Sequence, residues 1–180
     1  PHATKHILRM SHVCGILAQK LGLPAAEVDL IRLASPMHDL GKIGVSETVL
    51  FKEDRLDGKE RAEIQEHAEI GKGLLDGSRD DLLRTAYDIA VTHHERWDGR
   101  GYPNQLQGED IPIAGRIAAL ADVFDALMSR RCYKDPMPVE KAQQIVTEER
   151  GGHFDPQVVD AFFSGLDEIL DVYETLPDEE

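Results

Sequence analysis

The 180-residue sequence contains no apolar run approaching the ~18–20 residues that span a bilayer, so no stretch reads as a membrane helix. It has only two cysteines, Cys14 and Cys132, and they lack the paired spacing of a metal knuckle. They read as reduced thiols of a cytoplasmic protein, with a single disulfide as the alternative. Basic residues are scarce, 20 against 34 acidic, for a net charge of −14. That balance argues against sequence-independent binding to nucleic-acid backbone. It does not exclude a small anionic substrate, because bound divalent cations reverse the local sign. No strand pattern, internal repeat or low-complexity tract is present. The chain opens on Pro1 rather than Met, so it is expected to be a piece of a longer protein, and its start says nothing about targeting.

What is present is helical periodicity at a length suited to one domain with a real core. From Thr4 to about Leu21, Ile7, Met10, Val13, Cys14, Ile16, Leu17 and Leu21 recur at three-to-four spacing. Gly22 is placed to end that helix and Pro24 to open the next, with Pro36 expected to kink the chain or begin a new segment before His38. Residues 45–58 read as a loop with a short apolar insert. Further helices are expected over about 59–75, from a cap at Asp80 or Asp81 to about His94, over 114–129 and over 139–150, with the last starting at Asp155-Pro156. Residues 95–112, with three glycines and two prolines, form the longest irregular stretch, and such loops are often functional. The expected fold is a single all-α domain of roughly seven helices with no significant sheet.

The chemistry centres on Met37-His38-Asp39-Leu40-Gly41-Lys42. An imidazole beside a carboxylate, with an ammonium three residues on, offers two metal ligands and a phosphate-seeking cation. A lone histidine on an apolar helix is more often a hydrogen-bonded structural residue than a ligand. The adjacent pairs His38-Asp39 and His93-His94 are harder to explain that way, because neighbours on a helix diverge by ~100°. Two metal ions can use both members of such a pair, with Asp39 bridging. Asp122 lies in an apolar run, Ala118 to Phe124, where an unpaired carboxylate is costly. The set has imidazoles and carboxylates but no thiolate, which suits iron, manganese, nickel or zinc. Two such ions ~3.5–4 Å apart activate a water and clamp a phosphoryl group for in-line attack. On spacing alone Lys42 is equally a solvated lysine.

His38-Asp39, followed downstream by His93-His94-Glu95-Arg96-Trp97-Asp98-Gly99-Arg100-Gly101-Tyr102-Pro103, resembles the HD-GYP domain, a bacterial branch of the HD phosphohydrolases. The likeness covers nearly the whole chain, from His6 with Arg9 through His67 and Asp122-Val123-Phe124-Asp125 to Gly152-His153-Phe154-Asp155-Pro156. It implies hydrolysis of cyclic di-GMP to pGpG and in some cases on to GMP. It also implies metal ligation by His6, His38, Asp39, His67, His93, His94 and Asp122. The same match places Lys42, Tyr102, Pro103, Asp125, Arg131 and Lys134 at the substrate, with Asp39 and Lys42 the catalytic residues. From the residues alone, Tyr102-Pro103 is equally a rigid turn, and Arg131 with Lys134 a solvated basic turn.

There are two departures from the family pattern. His2 stands where three-metal members carry a glutamate, so two divalent transition-metal ions are expected, with a third metal at His2 the alternative. Cys132 stands where proline is usual. The resemblance further implies an upstream receiver or sensor domain and contacts between the Gly-Tyr-Pro loop and cyclic-di-GMP synthases of the GGDEF type. Two rival readings accompany the phosphodiesterase: a non-catalytic cyclic-dinucleotide sensing or partner-binding module, and a hydrolase of another cyclic dinucleotide.

Overall fold

The computed structural model describes residues 2–129 and 135–178. The side chains of His2 and Ala3 also fall outside this set, so the third-metal expectation at His2 lies outside the described residues. The same holds for the expected roles of Arg131 and Lys134, and for Cys132.

The long amphipathic segment forms α1 (His2–Lys20) and buries Met10, Val13, Cys14, Leu17 and Ala18. Ile7 belongs to the expected stripe but remains 39% exposed, because the inward face at that level is taken by His6 and Arg9. Gly22 adopts a positive φ of 77°, the left-handed C-terminal conformation that glycine tolerates. Pro24 then caps α2 (Ala25–Ala34), which lies along α1. Pro36 sits in a 3-10 turn, Ser35–Met37, and a second one follows over Leu40–Gly44. The chain therefore changes direction on both sides of His38-Asp39 and carries both side chains inward.

The 45–58 segment is mostly irregular, with a single helical turn, α3 (Glu47–Leu50). The pattern over 59–75 is two helices, α4 (Gly58–Gln65) and α5 (His67–Leu75), broken at Glu66. Asp57 opens α4 with a reciprocal capping box to Glu60. Asp80, rather than Asp81, caps α6 (Asp81–Thr92). Central helix α7 (Ile113–Met128) is buried nearly all round, with Ile117, Ala118, Leu120, Ala121 and Phe124 inaccessible or almost so. A helix that is apolar on every face belongs in a core.

Helix α8 (Val139–Glu148) packs on α7. Asp155 caps α9 (Pro156–Ser164) with proline at its first position, and Gly165 separates it from α10 (Leu166–Thr175). These breaks account for more and shorter helices than the roughly seven expected. Among the described residues the sole β feature is the isolated bridge Arg150–Phe154, and no helix is long and apolar enough to cross a membrane. Helices α1, α2, α6 and α7 enclose one core, and the site lies where they meet the 3-10 turns and α5.

Candidate metal centre

Five histidines from four parts of the chain point their Nε2 atoms at one region. His6 comes from α1, His38 from the link between the 3-10 turns, His67 from the start of α5, and His93 and His94 from the end of α6. The His6 and His38 Nε2 atoms are 3.1 Å apart, and those of His67 lie 3.2 Å from His94 and 3.5 Å from His93. The rings are held from behind. Nδ1 of His38 donates to the Ser35 carbonyl at 2.8 Å, that of His67 to the Ile64 carbonyl at 2.5 Å, and that of His93 to the Ile89 carbonyl at 2.9 Å. Nδ1 of His6 donates to Asp125 Oδ2 at 2.7 Å.

Those acceptors fix the Nδ1–H tautomer, which leaves Nε2 of a neutral ring as a bare lone pair. Lone pairs 3.1–3.5 Å apart repel one another unless a cation, whether a metal ion or a proton on one Nε2, sits among them. Rings braced through Nδ1 with Nε2 free are the arrangement metal-ligating histidines adopt. The donor set therefore fits a metal.

Asp39 joins the two halves of the cluster. Its Oδ1 lies 3.4 Å from His67 Nε2 and 3.6 Å from His93 Nε2, while its Oδ2 lies 3.2 Å from His38 Nε2. Two ligand groups result, Asp39 with His67, His93 and His94, and Asp39 with His6 and His38. Asp122 flanks the second group, with Oδ1 3.7 Å from Nε2 of both His6 and His38. This cluster is compatible with divalent metal binding, and the seven expected ligands are together in one place.

The electrostatics agree with that assignment. Burial works to raise the Asp39 pKa, yet contacts from His38 and His93 and the charge of Lys42 hold it far below the usual carboxylate range. Burial pushes down the His94 and His67 imidazoles, aided by neighbouring histidines, which keeps both neutral and competent to ligate. Burial also lowers His38, but Asp39 and Asp122 outweigh it and raise that ring to about 9. The carboxylates thus produce a potential at His38 that holds positive charge.

Lys42 Nζ donates to Asp39 Oδ2 at 2.7 Å and remains half-exposed at the mouth of the cluster. The irregular stretch after His94 folds back on the site. The Tyr102 ring stacks on His94, with centroids 4.8 Å apart and planes 18° from parallel, and the Tyr102–Pro103 peptide is cis. Gly101 permits this return, because a Cβ there would stand 2.5 Å from both the Arg96 nitrogen and the His94 carbonyl. Glu95, unassigned in the sequence reading, is 1% exposed and accepts hydrogen bonds from the Asn104 and Leu106 amides at 2.7 and 3.0 Å. A carboxylate directly before a Gly/Pro-rich loop, whose amides no helix can pair, was the available signal.

Asp125, expected at the substrate, is 2% exposed, with its oxygens engaged by His6, Arg9 and Ser129, so it braces the His6 ring from behind. Asp122 and Asp125 are three residues apart on α7 and share a face, but Asp125 lies deeper, against buried Arg9.

Gly41 ties the 3-10 turn to α5. A Cβ there would collide with the His67 carbonyl and stand 2.6 Å from the Gly71 nitrogen. Both obstacles are backbone, so Gly41→Ala is expected to push the turn from α5 and separate Asp39 from His67. We expect a loss of at least about 1–3 kcal/mol, the cost of overpacking, read as a lowered urea midpoint. An unchanged midpoint with normal metal content would contradict this packing.

The HD domain family profile matches residues 1–158. Among curated relatives, the 3'3'-cGAMP-specific phosphodiesterase 2 of Vibrio cholerae is 45% identical over 173 residues, covering 96% of this chain and 33% of that protein. The cyclic di-GMP phosphodiesterase response regulator RpfG of Xanthomonas campestris is 44% identical over 93% of this chain and 45% of its own length. A cyclic di-GMP phosphodiesterase of Thermotoga maritima is 41% identical over 98% of this chain and 48% of its own. Among solved structures, the HDG"Y"P protein Bd1817 of Bdellovibrio bacteriovorus superposes with a TM-score of 0.70 at 20% identity, over 90% of this chain and 51% of that one. This chain belongs to the HD domain family. It spans between a third and about half of the length of these curated relatives.

Proposed function

We propose that residues 1–180 form the catalytic domain of a metal-dependent phosphodiesterase that hydrolyses cyclic di-GMP to pGpG. The observation that carries this reading is Asp39, shared by two clusters of Nε2 lone pairs, with Lys42 on its outer oxygen. His67, His93 and His94 would hold one ion and His6 and His38 the other, with Asp39 common to both and Asp122 beside the second. Iron, manganese or nickel suits these donors. When bound, the ions supply Lewis acidity that activates water and neutralises phosphoryl oxygens.

The remaining work belongs to the chain. Lys42 Nζ presents a cation and a hydrogen-bond donor to a non-bridging oxygen. Hydrolysis forms one P–O bond from water and breaks the bond to the ribose 3′ oxygen. That oxygen takes a proton from Lys42, and the proton given up by the attacking water restores the lysine, leaving a 3′-hydroxyl and the 5′-phosphate of pGpG. Tyr102 and Pro103 form the wall beside His94. Arg131 and Lys134 are proposed to grip phosphate or guanine edges. An upstream receiver or sensor domain, and synthase contacts through the Gly-Tyr-Pro loop, belong to the same proposal, as does a cytoplasmic setting.

Metal-loaded protein is expected to convert cyclic di-GMP to pGpG, followed by chromatography of the products. Lys42→Met is expected to lower kcat by about 10²–10⁴-fold, the range for a positioned acid, with metal content unchanged. No product with iron, manganese or nickel supplied would sink the assignment. A second substrate, 3'3'-cGAMP, is favoured by the 45% relative named for it, and belongs in the same assay.

A further inference from the structure

Beside the metal centre, and outside every residue assigned above except Lys42, lies a cleft of about 600 Å³. Lys42 is among its lining residues, Val49, Leu50, Leu56 and Ile64 supply apolar surface, and Glu53, Asp54 and Arg55 belong to the polar part of the lining. Both sides of this cleft are fastened. Lys52 donates to both Glu60 oxygens at 2.7 Å, Asp57 caps α4, and the Ser46 amide donates to Glu63 at 3.0 Å. Among the described residues Arg55 makes no ion pair or hydrogen bond, so its guanidinium is uncommitted on a fixed loop. We propose that this cleft is a guanine subsite, with Arg55 the residue that selects guanine over adenine in the cyclic dinucleotide.

The chemistry matches on three counts. The apolar residues offer a surface against which the flat face of a base can pack. A guanidinium pairs bidentately with guanine O6 and N7, whereas adenine puts an amino group where O6 would be. The flanking carboxylates of Glu53 and Asp54 accept from guanine N1–H and its amino group, while adenine offers a bare N1 there, and two acceptors would face each other. Position agrees as well. Lys42 bonds Asp39 and also lines the cleft together with Arg55, so the cleft adjoins the metal centre.

This rests on the reading of the centre as a cyclic-dinucleotide phosphodiesterase, and the experiment separates the two. Steady-state kinetics of metal-loaded wild type and Arg55→Ala are measured with cyclic di-GMP, cyclic di-AMP and bis(p-nitrophenyl) phosphate, which carries no base. Arg55 is exposed, so the variant is expected to fold, checked by its circular dichroism. The expected result is a KM for cyclic di-GMP raised about 10-fold or more, with kcat little changed, as for loss of uniform binding. The preference for cyclic di-GMP over cyclic di-AMP should shrink by the same factor. Hydrolysis of bis(p-nitrophenyl) phosphate should be unaltered. An unchanged KM and preference in an active enzyme would overturn the guanine subsite alone. Equal losses on all three substrates would overturn it too, by marking Arg55 as part of the general machinery. A wild type that hydrolyses bis(p-nitrophenyl) phosphate but no cyclic dinucleotide would overturn both readings.

Discussion

Asp39→Ala is expected to remove metal from both ligand groups at once and to lower turnover by far more than about 100-fold. Loss of a residue that merely supports a ligand costs 10–100-fold, and Asp39 belongs to both groups directly. Its Oδ1 faces His67 and His93, and its Oδ2 faces His38 and Lys42. His94→Ala provides the contrast, because His94 belongs to one group only, so that variant should keep metal at His6 and His38. Elemental analysis after gel filtration reads the difference as metal bound per chain. Asp39→Asn keeps the shape and halves the number of good acceptors, and should fall between wild type and the alanine variant. Should Asp39→Ala retain the wild-type metal content, the bridging role is wrong.

The second large effect lies behind the site. Arg9 is 2% exposed and its guanidinium is fully used, with Nε to Asp125 Oδ1 at 2.6 Å, Nη2 to Ser129 at 2.8 Å, and Nη1 to the Leu176 carbonyl and to Asp178, each at 3.0 Å. Arg9→Ala leaves Asp125 as a buried charge short of its partner, a loss of about 3–5 kcal/mol. Lysine cannot reproduce this fork, so Arg9→Lys should recover little. Urea unfolding followed by circular dichroism measures both, and a midpoint shift worth under 1 kcal/mol would refute the account.

The same pair sets an acid limit. Burial works to raise the Asp125 pKa, but His6 and Arg9 together hold it at about 2, below its ordinary 3.8. A depressed folded pKa gives stability that is fully present above the unfolded value and is lost as pH falls through the folded one. The contribution from Asp125 therefore fades between about pH 4 and pH 2. In Arg9→Ala the carboxyl should protonate sooner, so acid unfolding should begin at higher pH.

The cluster was legible in the sequence because its histidines violate the logic of the helices that carry them. His38, His67 and His93 are all nearly inaccessible, on helical segments whose other inward positions are apolar. Adjacent ligand pairs made the anomaly stronger. Depth within a shared face was not legible. Asp122 and Asp125 carry the same chemistry at helical spacing, and only the packing of Arg9 distinguishes the one beside the ligands from the one behind them. The helix break at Glu66 was hidden because neither glycine nor proline marks it. Glu95 was hidden because its partners are backbone amides, which no side-chain pattern records. The cleft at Arg55 falls in a stretch read only as a loop, since neither period nor motif marks a cavity made by separate segments.

Arg9 also joins the beginning of the chain to its end. Its bonds to Leu176 and Asp178 close loops of 167 and 169 residues, contacts of nearly the longest sequence separation the chain allows. Loop-closure entropy must be met before such contacts return anything, so they form late in folding. Through Asp125, that late closure braces the ring of His6. A chain cut short before its last helix could therefore gather His38, His67, His93 and His94 yet hold His6 loosely, leaving one ligand group formed and the other unfinished until that helix docks.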